Sequence, residues 1–237
     1  MTEYIDNNNF FPGILRKNID INDPENTEEH LSIYKMNSMG YRCPEFDKID
    51  FKESIFLFGC SCAFGVKLKT EETISYNLEQ ILGRPVINMA LPGSSIQFNY
   101  YNQFKLALQE ENPYGVINLW TSINRLPFFK NPEAVVHLGP WVDDKNSDRQ
   151  DLILTRAWLN NRFHPIYTDK LSVKNARFLW RNTRHVEGTV FIDSSKNLNI
   201  QYFTPLDYSD NNGHPGPKSA LDIATQFATQ IKALDKY

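Results

Sequence analysis

The sequence predicts one α/β domain, a three-layer α/β/α sandwich built on a mainly parallel sheet. Three short apolar runs begin near residues 54, 85 and 114, and amphipathic segments lie between them. This alternation is typical of right-handed β-α-β units. The chain has 237 residues, and 41% of them are hydrophobic, which is enough apolar material for one large core. The same composition excludes disordered, collagen-like and coiled-coil chains.

The first half of the predicted domain contains two β-α units. Residues 54–59 form an apolar run that ends in glycine, which predicts a buried strand. A helix is expected to begin over residues 70–73, with acidic side chains in its first turn, and to end at Gly83. The second unit repeats the pattern, with a strand over residues 85–90 and a helix over residues 96–108.

The second half begins with a third strand over residues 114–120. An irregular stretch over residues 127–150 is expected to cover one end of the sheet. The remaining predicted elements are helices over residues 152–163 and 171–180, a fourth strand over residues 187–193 and a last helix that begins at about Lys218.

The domain organisation follows from a change in composition near residue 50. Residues 1–50 are polar and rich in Asn, Asp and Glu, so we expect an extended lead-in packed on the domain. Residues 51–237 are expected to form the single domain, with an insertion at about 127–186.

Charge and hydropathy exclude several classes of partner. Lys and Arg total 25 against 28 for Asp and Glu, and the net charge is −3. No global charge therefore favours nucleic acid or an anionic membrane surface. No run approaches the length of an apolar membrane-spanning segment. The partner that we expect is a small-molecule or carbohydrate substrate, and the oligomeric state is not predicted.

Cysteine usage and the first residues bear on location and metal binding. The chain has three cysteines, and Cys60 and Cys62 flank a single residue, a spacing poorly suited to a mutual disulfide. We expect reduced thiols and no signal peptide, which predicts a cytoplasmic protein. Cys60 and Cys62 lack a nearby cluster of further ligands, so we expect no metal. No glycine-rich phosphate motif follows a strand, and no cofactor is expected.

Candidate functional residues follow the predicted strands, and the carboxyl ends of parallel strands share one edge of a sheet. Ser61 follows the first strand, where a helical turn would present amides to a negative charge; an ordinary capping serine is the alternative. Gly93 follows the second strand and is either a site for close ligand approach or a plain loop glycine. Ser122 and Asn124 follow the third strand, and both side chains are hydrogen-bond donors.

A histidine lies in a turn-rich loop just before the last helix. His214 is followed by Pro and Gly, which argues against a buried core histidine, and a solvated loop histidine is the alternative. Asp210 precedes it in the same loop. A serine, an amide donor, a polar donor and an Asp-His pair at one sheet edge would make a nucleophile with its base and oxyanion hole.

These segments together resemble the SGNH hydrolases, the GDSL-type esterases and lipases. Residues 59–61 (Gly-Cys-Ser) resemble the first block of the family, Asn88 and Gly93 the second, and residues 214–216 (His-Pro-Gly) the last. The resemblance covers roughly residues 54–126 and 187–230, and it implies a flavodoxin-like SGNH-hydrolase fold. The Gly-Cys-Ser form followed by Phe-Gly looks like a subset seen in phage and bacterial proteins. That subset implies a virion-associated protein if the chain is phage-encoded.

The resemblance implies that Ser61 is the nucleophile and His214 its general base, with the backbone N–H groups of Ser61 and Gly93 in the oxyanion hole. The third block of the family carries an oxyanion-hole Asn. Here Ser122 occupies that position by register, while Asn124 has the matching chemistry, and both alternatives stay open.

The acid of the family lies three residues before the histidine, where this chain has Asn211. Asp210 lies one residue further away, and its carboxylate would need a one-residue bulge to reach His214. Asp207 is the reserve candidate.

The function predicted from these residues is ester hydrolysis by a serine esterase, with a carbohydrate O-acetyl group as one candidate ester. Two alternatives use the same scaffold: a non-catalytic glycan-binding or structural module, and an O-acyltransferase. Asn at position 211 and Ser at position 122, where the family has Asp and Asn, are the features that favour a non-catalytic module.

Overall fold

The computed structural model of the protein describes Phe10 and residues 33–109, 112–131, 134–139 and 163–235. Its strands are β1 (Ile55–Gly59), β2 (Val86–Asn88), β3 (Gly115–Trp120), β4 (Leu126–Asn131), β5 (Ala134–Leu138), β6 (Arg184–Thr189) and β7 (Gln201–Tyr202). Its α-helices are α1 (Ser61–Phe64), α2 (Ile74–Leu82), α3 (Ile96–Ala107), α4 (Phe163–Leu179), α5 (Ile192–Leu198) and α6 (Pro217–Leu234).

The main sheet has five strands in the order β2-β1-β3-β6-β7, and every neighbouring pair is parallel. The first strand lies inside the sheet, and the chain winds outward from it in both directions. This is the strand order of doubly wound, flavodoxin-like sheets, in which ligands bind at the carboxyl ends of the strands. The predicted fold class is confirmed.

Helices cover both faces of the sheet, as the alternation of side chains along β1 shows. Ile55 and Leu57 lie in a core cluster with apolar residues of α2 and α6. Phe56 and Phe58 lie in a second cluster with residues of α3 and with Trp180. Because successive side chains of a strand point to opposite faces, these two clusters are the two interfaces of a three-layer sandwich.

The ends of α2 and α3 are capped, but the acidic residues predicted for the first turn of α2 lie in a separate 3₁₀ turn, Thr70–Glu72, that precedes the helix. Thr73 caps α2 by accepting a hydrogen bond from the N–H of Tyr76. Gly83 ends the same helix with φ at 65°, a left-handed conformation that favours glycine. Ser95 caps α3 by accepting from the N–H of Phe98. These caps place both helices so that their first residues lie near the carboxyl edge of the sheet.

The described part of residues 1–50 packs on the domain. Tyr41 is fully buried, and its hydroxyl accepts a hydrogen bond from the amide of Asn102 on α3 at 2.9 Å. Phe10 is buried, and its ring centroid lies 4.8 Å from that of Phe46. The rest of residues 1–32 lies outside the described residues.

The prediction of irregular structure after the third strand is wrong over its first part. The strands β4 and β5 form an antiparallel hairpin there, with Leu126 paired to Leu138. Residues 140–162, which include most of the predicted helix over 152–163, lie outside the described residues. The helix predicted over residues 171–180 is present and begins earlier, at Phe163.

The fourth strand lies three residues earlier than predicted, at Arg184–Thr189. The apolar residues after it, which suggested the later position, lead instead into the short helix α5. Polar side chains fit within the strand because each has a partner. His185 Nε2 accepts from Asn118 at 2.8 Å, and Glu187 accepts from the indole N–H of Trp120 at 2.9 Å.

In the part of the chain that the structure describes, no helix combines the length and the apolar character needed to cross a bilayer.

A buried acid on α4 stands out among these packed elements. The side chain of Asp169 is fully buried, and neither carboxylate oxygen has a hydrogen-bond partner among the described residues. Burial, with a smaller contribution from the charge of Asp193, raises the pKa of Asp169 to about 9. The folded protein therefore holds Asp169 in its neutral form at pH 7.

We predict that Asp169→Asn stabilises the protein at pH 8 and does so less at pH 4. The unfolded chain releases this proton near the ordinary aspartate pKa of 3.8, whereas the folded chain releases it near 9. Between those values the unfolded state binds fewer protons, so the wild type loses stability as the pH rises. Denaturant unfolding should show a gain of several kcal/mol at pH 8, because each pH unit between the two pKa values is worth about 1.4 kcal/mol.

The matched control is Asp47→Asn, which changes an exposed carboxylate in the short 3₁₀ turn Phe46–Lys48. Its unfolding free energy should equal that of the wild type at both pH values. If the stability of Asp169→Asn equals that of the wild type at every pH from 4 to 8, the claim that Asp169 is neutral in the folded protein is wrong.

Candidate active site

The turn between β1 and α1 carries Ser61 at the carboxyl edge of the sheet. Ser61 is the first residue of α1, and it follows Cys60, whose backbone is extended. A Cβ atom at Gly59 would lie 2.6 Å from Cβ of Ala63 and 2.8 Å from the carbonyl oxygen of Leu119. Glycine is required there because the helical turn folds back onto the end of the strand. Ser61 is buried, with 6% of its surface exposed.

Two residues of the second strand–loop segment hold this turn. The side-chain amide of Asn88 donates to the carbonyl oxygen of Ala63 at 3.1 Å, within α1. The hydroxyl of Ser94 donates to the carbonyl oxygen of Gly59 at 2.8 Å. Asn88 and Ser94 are both fully buried, so these bonds lie away from water. The second loop is thereby fixed to both ends of the turn that carries Ser61.

The far side of the turn is held by Arg42, a residue that the sequence did not single out. Its guanidinium donates to three carbonyl oxygens at the end of α1 and just beyond it: Phe64 at 3.2 Å, Gly65 at 2.9 Å and Leu68 at 2.8 Å. Burial lowers the pKa of Arg42, and nearby Tyr34, Glu71 and Glu72 partly offset that effect. A cation at these carbonyls stabilises the carboxyl end of a short helix.

Gly93 occupies a tight turn directly before α3. The N–H of Ser94 donates to the carbonyl oxygen of Leu91 at 3.1 Å, which closes a four-residue turn with Pro92 and Gly93 at its centre. Gly93 has φ at 76°, the left-handed value that the third position of a type II turn requires. Among the described residues its N–H has no hydrogen-bond partner.

Asp210 and His214 meet in the loop before α6. Oδ2 of Asp210 lies 2.6 Å from Nδ1 of His214. Oδ1 of the same carboxylate accepts the N–H of Asn212 at 3.0 Å and that of His214 at 3.2 Å. Gly213 has φ at 83°, so the chain turns sharply between the two side chains. The loop thus wraps around the carboxylate of Asp210, which lies four residues before His214.

Charge fixes the roles of the atoms in this pair. Burial tends to raise the pKa of Asp210, but the hydrogen bonds from His214 and Asn212 outweigh it and lower the pKa. An ionised carboxylate only accepts hydrogen bonds, so Nδ1 of His214 carries the proton that it donates to Asp210. Nε2 of His214 is then the atom that is left to act as a base.

Hydrogen bonds connect the histidine loop to the segment that follows Ser61. The hydroxyl of Ser209 donates to the carbonyl oxygen of Val66 at 2.9 Å, and its N–H donates to that of His214 at 2.8 Å. The N–H of Val66 donates to the carbonyl oxygen of Ser61 at 3.3 Å. In the described part of the chain the Ser61 hydroxyl contacts Cys60 Sγ at 3.8 Å and makes no hydrogen bond to His214. Catalytic hydrogen bonds often tighten only when substrate binds.

The reserve acid, Asp207, has a different set of contacts. Its carboxylate accepts the N–H groups of Lys218 and Ser219 at 3.1 and 2.7 Å, and the Ser219 hydroxyl at 2.7 Å. These are the first donors of α6, so Asp207 caps that helix. Asn211, at the family position of the acid, is exposed.

The two candidate donors after β3 do not occupy equivalent positions. The hydroxyl of Ser122 donates to Oδ2 of Asp193 at 3.1 Å and accepts the N–H of Asn124 at 3.4 Å. Asn124 is exposed. The single hydroxyl proton of Ser122 is thus directed to a carboxylate.

The thiols beside Ser61 are buried and none of the three cysteines forms a disulfide. The hydrogen bond from Cys62 holds the pKa of the Cys60 thiol below its usual range, and the charge of Arg125 adds to this effect. The pKa of Cys62 is raised by the same hydrogen bond and by burial. Within the described ranges, no three His, Cys, Asp or Glu side chains are grouped to hold a metal ion.

Comparison with known proteins finds similarity in structure and none in sequence. No protein-family model matches the sequence, and no curated protein is similar to it in sequence. The esterase EstA from Pseudoalteromonas sp. is 15% identical, with a TM-score of 0.45, and the match covers 78% of this chain and 100% of that one.

Two further solved structures match over a similar share of the chain. A lipolytic protein of the G-D-S-L family from Veillonella parvula is 13% identical, with a TM-score of 0.45, over 75% of this chain and 96% of that one. A carbohydrate esterase family 2 enzyme with a carbohydrate-binding domain, from Corynascus thermopiles, is 9% identical, with a TM-score of 0.48. The match covers 78% of this chain and 67% of that one.

Proposed function

We propose that this chain is a serine-dependent ester hydrolase with Ser61 as nucleophile, His214 as general base and Asp210 as the acid that orients the histidine. The observation that carries the proposal is the 2.6 Å contact between Asp210 and His214 in a loop that Ser209 joins to the segment following Ser61. A buried carboxylate that holds Nδ1–H of an imidazole leaves Nε2 to accept a proton from a serine.

The reaction proceeds in two acyl-transfer steps. Nε2 of His214 takes the hydroxyl proton of Ser61 while Oγ bonds to the ester carbonyl carbon, and the carbonyl π electrons move to its oxygen. When that oxyanion collapses, the bond to the alkoxy group breaks and His214 donates its proton to the leaving alcohol. Water then repeats the sequence on the acyl-enzyme, releasing the acid and restoring Ser61.

Backbone amides support the charged intermediate in this proposal. The N–H of Ser61 belongs to the first turn of α1, and the N–H of Gly93 belongs to the adjacent turn. The bond from Ser94 to Gly59 sets the distance between these two loops. Preorganised amides of this kind stabilise a developing oxyanion, and losing one donor typically costs about 3 kcal/mol.

The substrate class that we propose is a small-molecule or carbohydrate ester, with a carbohydrate O-acetyl group as the first candidate. An O-acyltransferase would use the same residues and would pass the acyl group to a sugar hydroxyl instead of water. Analysis of the products formed from an acetylated sugar, with and without an acceptor sugar, separates the two.

A non-catalytic binding module is the second candidate, and one observation favours it. The Ser122 hydroxyl, at the position of the family's oxyanion-hole Asn, is directed to Asp193. A scaffold that had lost its third donor would still bind a ligand at the same edge. Covalent labelling with a fluorophosphonate, which requires an activated serine, distinguishes an enzyme from such a module.

We predict that Ser61→Ala abolishes both fluorophosphonate labelling and hydrolysis of 4-nitrophenyl acetate. The variant removes the oxygen that forms the acyl-enzyme, so the loss of kcat should be roughly 10³-fold or more. The thermal melting temperature should stay within a few degrees of the wild type, because the described contacts of the Ser61 hydroxyl are weak hydrogen bonds to the neighbouring thiols.

Cys60→Ala is the matched control for this prediction. It removes the neighbouring thiol, which has a lowered pKa, and keeps Ser61. We expect it to retain labelling at Ser61. Turnover that survives in Ser61→Ala and disappears in Cys60→Ala would show that the Cys60 thiol is the nucleophile and would contradict the serine mechanism.

We also predict opposite effects for the two aspartates of the loop. Asp210→Asn should lower kcat roughly 10²-fold or more, because the imidazolium loses its counter-charge and its fixed tautomer. Asp207→Asn should instead cost about 1 kcal/mol of unfolding free energy through the weakened cap of α6, with kcat per folded molecule nearly unchanged. Steady-state kinetics and denaturant unfolding on both variants measure this contrast.

The same two variants also show which of the two aspartates orients His214. The reverse pattern, with kcat lost in Asp207→Asn and kept in Asp210→Asn, would assign the acid to Asp207.

A further inference from the structure

The third block of the family supplies a side-chain donor beside the backbone amides of the oxyanion hole, and the two residues expected to supply it here are placed differently. Ser122 directs its hydroxyl proton to Asp193, and Asn124 is exposed. The same polar segment after β3 contains another hydrogen-bond donor, Arg125, to which the family motifs assign no role. Its guanidinium carries five N–H groups and a permanent charge.

Arg125 lies against the loop that carries Gly93. Its Nη1 lies 3.5 Å from the carbonyl oxygen of Ser94, the residue that follows Gly93 and bonds to Gly59. The guanidinium carbon lies 5.5 Å from the ring centroid of Phe191, which follows β6. Arg125 therefore sits between loops from two different strand ends at the carboxyl edge.

The charge of Arg125 also acts on both residues that flank Ser61. It lowers the pKa of the Cys60 thiol and opposes the rise in the pKa of the Cys62 thiol. A charge that stabilises an anion at the sulfur on each side of Ser61 lies within electrostatic reach of the space above Ser61 itself.

The charge of Arg125 also acts on His137 of the strand β5. His137 packs edge-on against Phe98, with ring centroids 4.7 Å apart. Burial, aided by the charge of Arg125, lowers the pKa of His137 to about 4, so this histidine is neutral at pH 7. The imidazole therefore adds no second positive charge to that of Arg125.

We propose that Arg125 is a catalytic residue, the third donor of the oxyanion hole, in the place of the asparagine that the third family block would supply. This inference rests on the proposed function. During attack by Ser61 Oγ, a guanidinium N–H would donate to the carbonyl oxygen as it gains negative charge, beside the amides of Ser61 and Gly93. A full positive charge stabilises that oxyanion more strongly than a neutral amide does.

The experiment compares Arg125→Gln, Arg125→Lys and the control Arg84→Gln. Gln keeps a neutral donor, and Lys keeps the charge without the planar fork. Arg84 precedes β2 at the opposite edge of the sheet, where it pairs with Glu53, so its variant tests the effect of losing any surface arginine. Each protein is assayed with neutral 4-nitrophenyl acetate and with anionic 4-nitrophenyl hydrogen succinate, and fluorophosphonate labelling of Ser61 is measured in parallel.

We expect Arg125→Gln to lower kcat about 10²-fold for both esters with KM changed less than about threefold, since an oxyanion donor acts in the transition state. Arg125→Lys should recover part of that loss, and fluorophosphonate labelling should slow in the same order. Arg84→Gln should match the wild type. Thermal melts of all variants within a few degrees of the wild type show that the fold is kept.

Two results would overturn the role of Arg125 and leave the serine mechanism standing. The first is a wild-type kcat in Arg125→Gln. The second is a rise in KM confined to the succinate ester, which would make Arg125 a binding group for an anionic part of the substrate. A wild-type protein that neither labels at Ser61 nor hydrolyses either ester would overturn the proposed function and this inference together.

Discussion

The candidate site depends on how the carbonyl oxygens of one short turn are satisfied. Within the turn from Gly59 to Gly65 the N–H groups of Phe64 and Gly65 donate back to Cys60 and Ser61. Three remote residues bind further carbonyl oxygens: Ser94 binds Gly59, Asn88 binds Ala63, and Arg42 binds Phe64, Gly65 and, just beyond the turn, Leu68. Buried carbonyl groups without partners are costly, so these bonds define one arrangement of the turn. The same bonds that keep Ser61 in place also place the Gly93 loop beside it.

Polar side chains buried between the sheet and its helices are also paired with partners from remote segments. Asn118 lies in the middle of β3, and its amide bonds to Gln103 on α3 and to His185 on β6. Gln103 also accepts from the indole N–H of Trp180 at 2.9 Å. A network in which each member has a partner orients α3 on the sheet more specifically than apolar packing does. The helix α3 begins just after the Gly93 turn, so the orientation of α3 also determines the position of that turn in the candidate site.

Local patterns predicted the elements whose residues signal them directly. The strand β1, the helix α2 and its glycine end follow from apolar spacing and caps, and the structure places them within one or two residues of the expected bounds. The strand β6 was misplaced because its polar residues have partners that only the folded sheet brings near, such as Asn118 for His185. The role of Arg42 could not be predicted from the sequence either, because its carbonyl acceptors lie more than twenty residues away along the chain.

The loop of Asp210 and His214 shows how a departure from a motif is absorbed by local geometry. One residue more than the family spacing separates the two side chains, and a rigid extended loop would carry the carboxylate past the imidazole. The left-handed Gly213 turns the chain back, while two backbone N–H groups bind the same carboxylate that faces Nδ1. The acid therefore organises its own loop, and its position is set by the backbone that it binds. The number of residues between two side chains therefore does not by itself determine whether they meet, because a single turn of the backbone can bring them into contact.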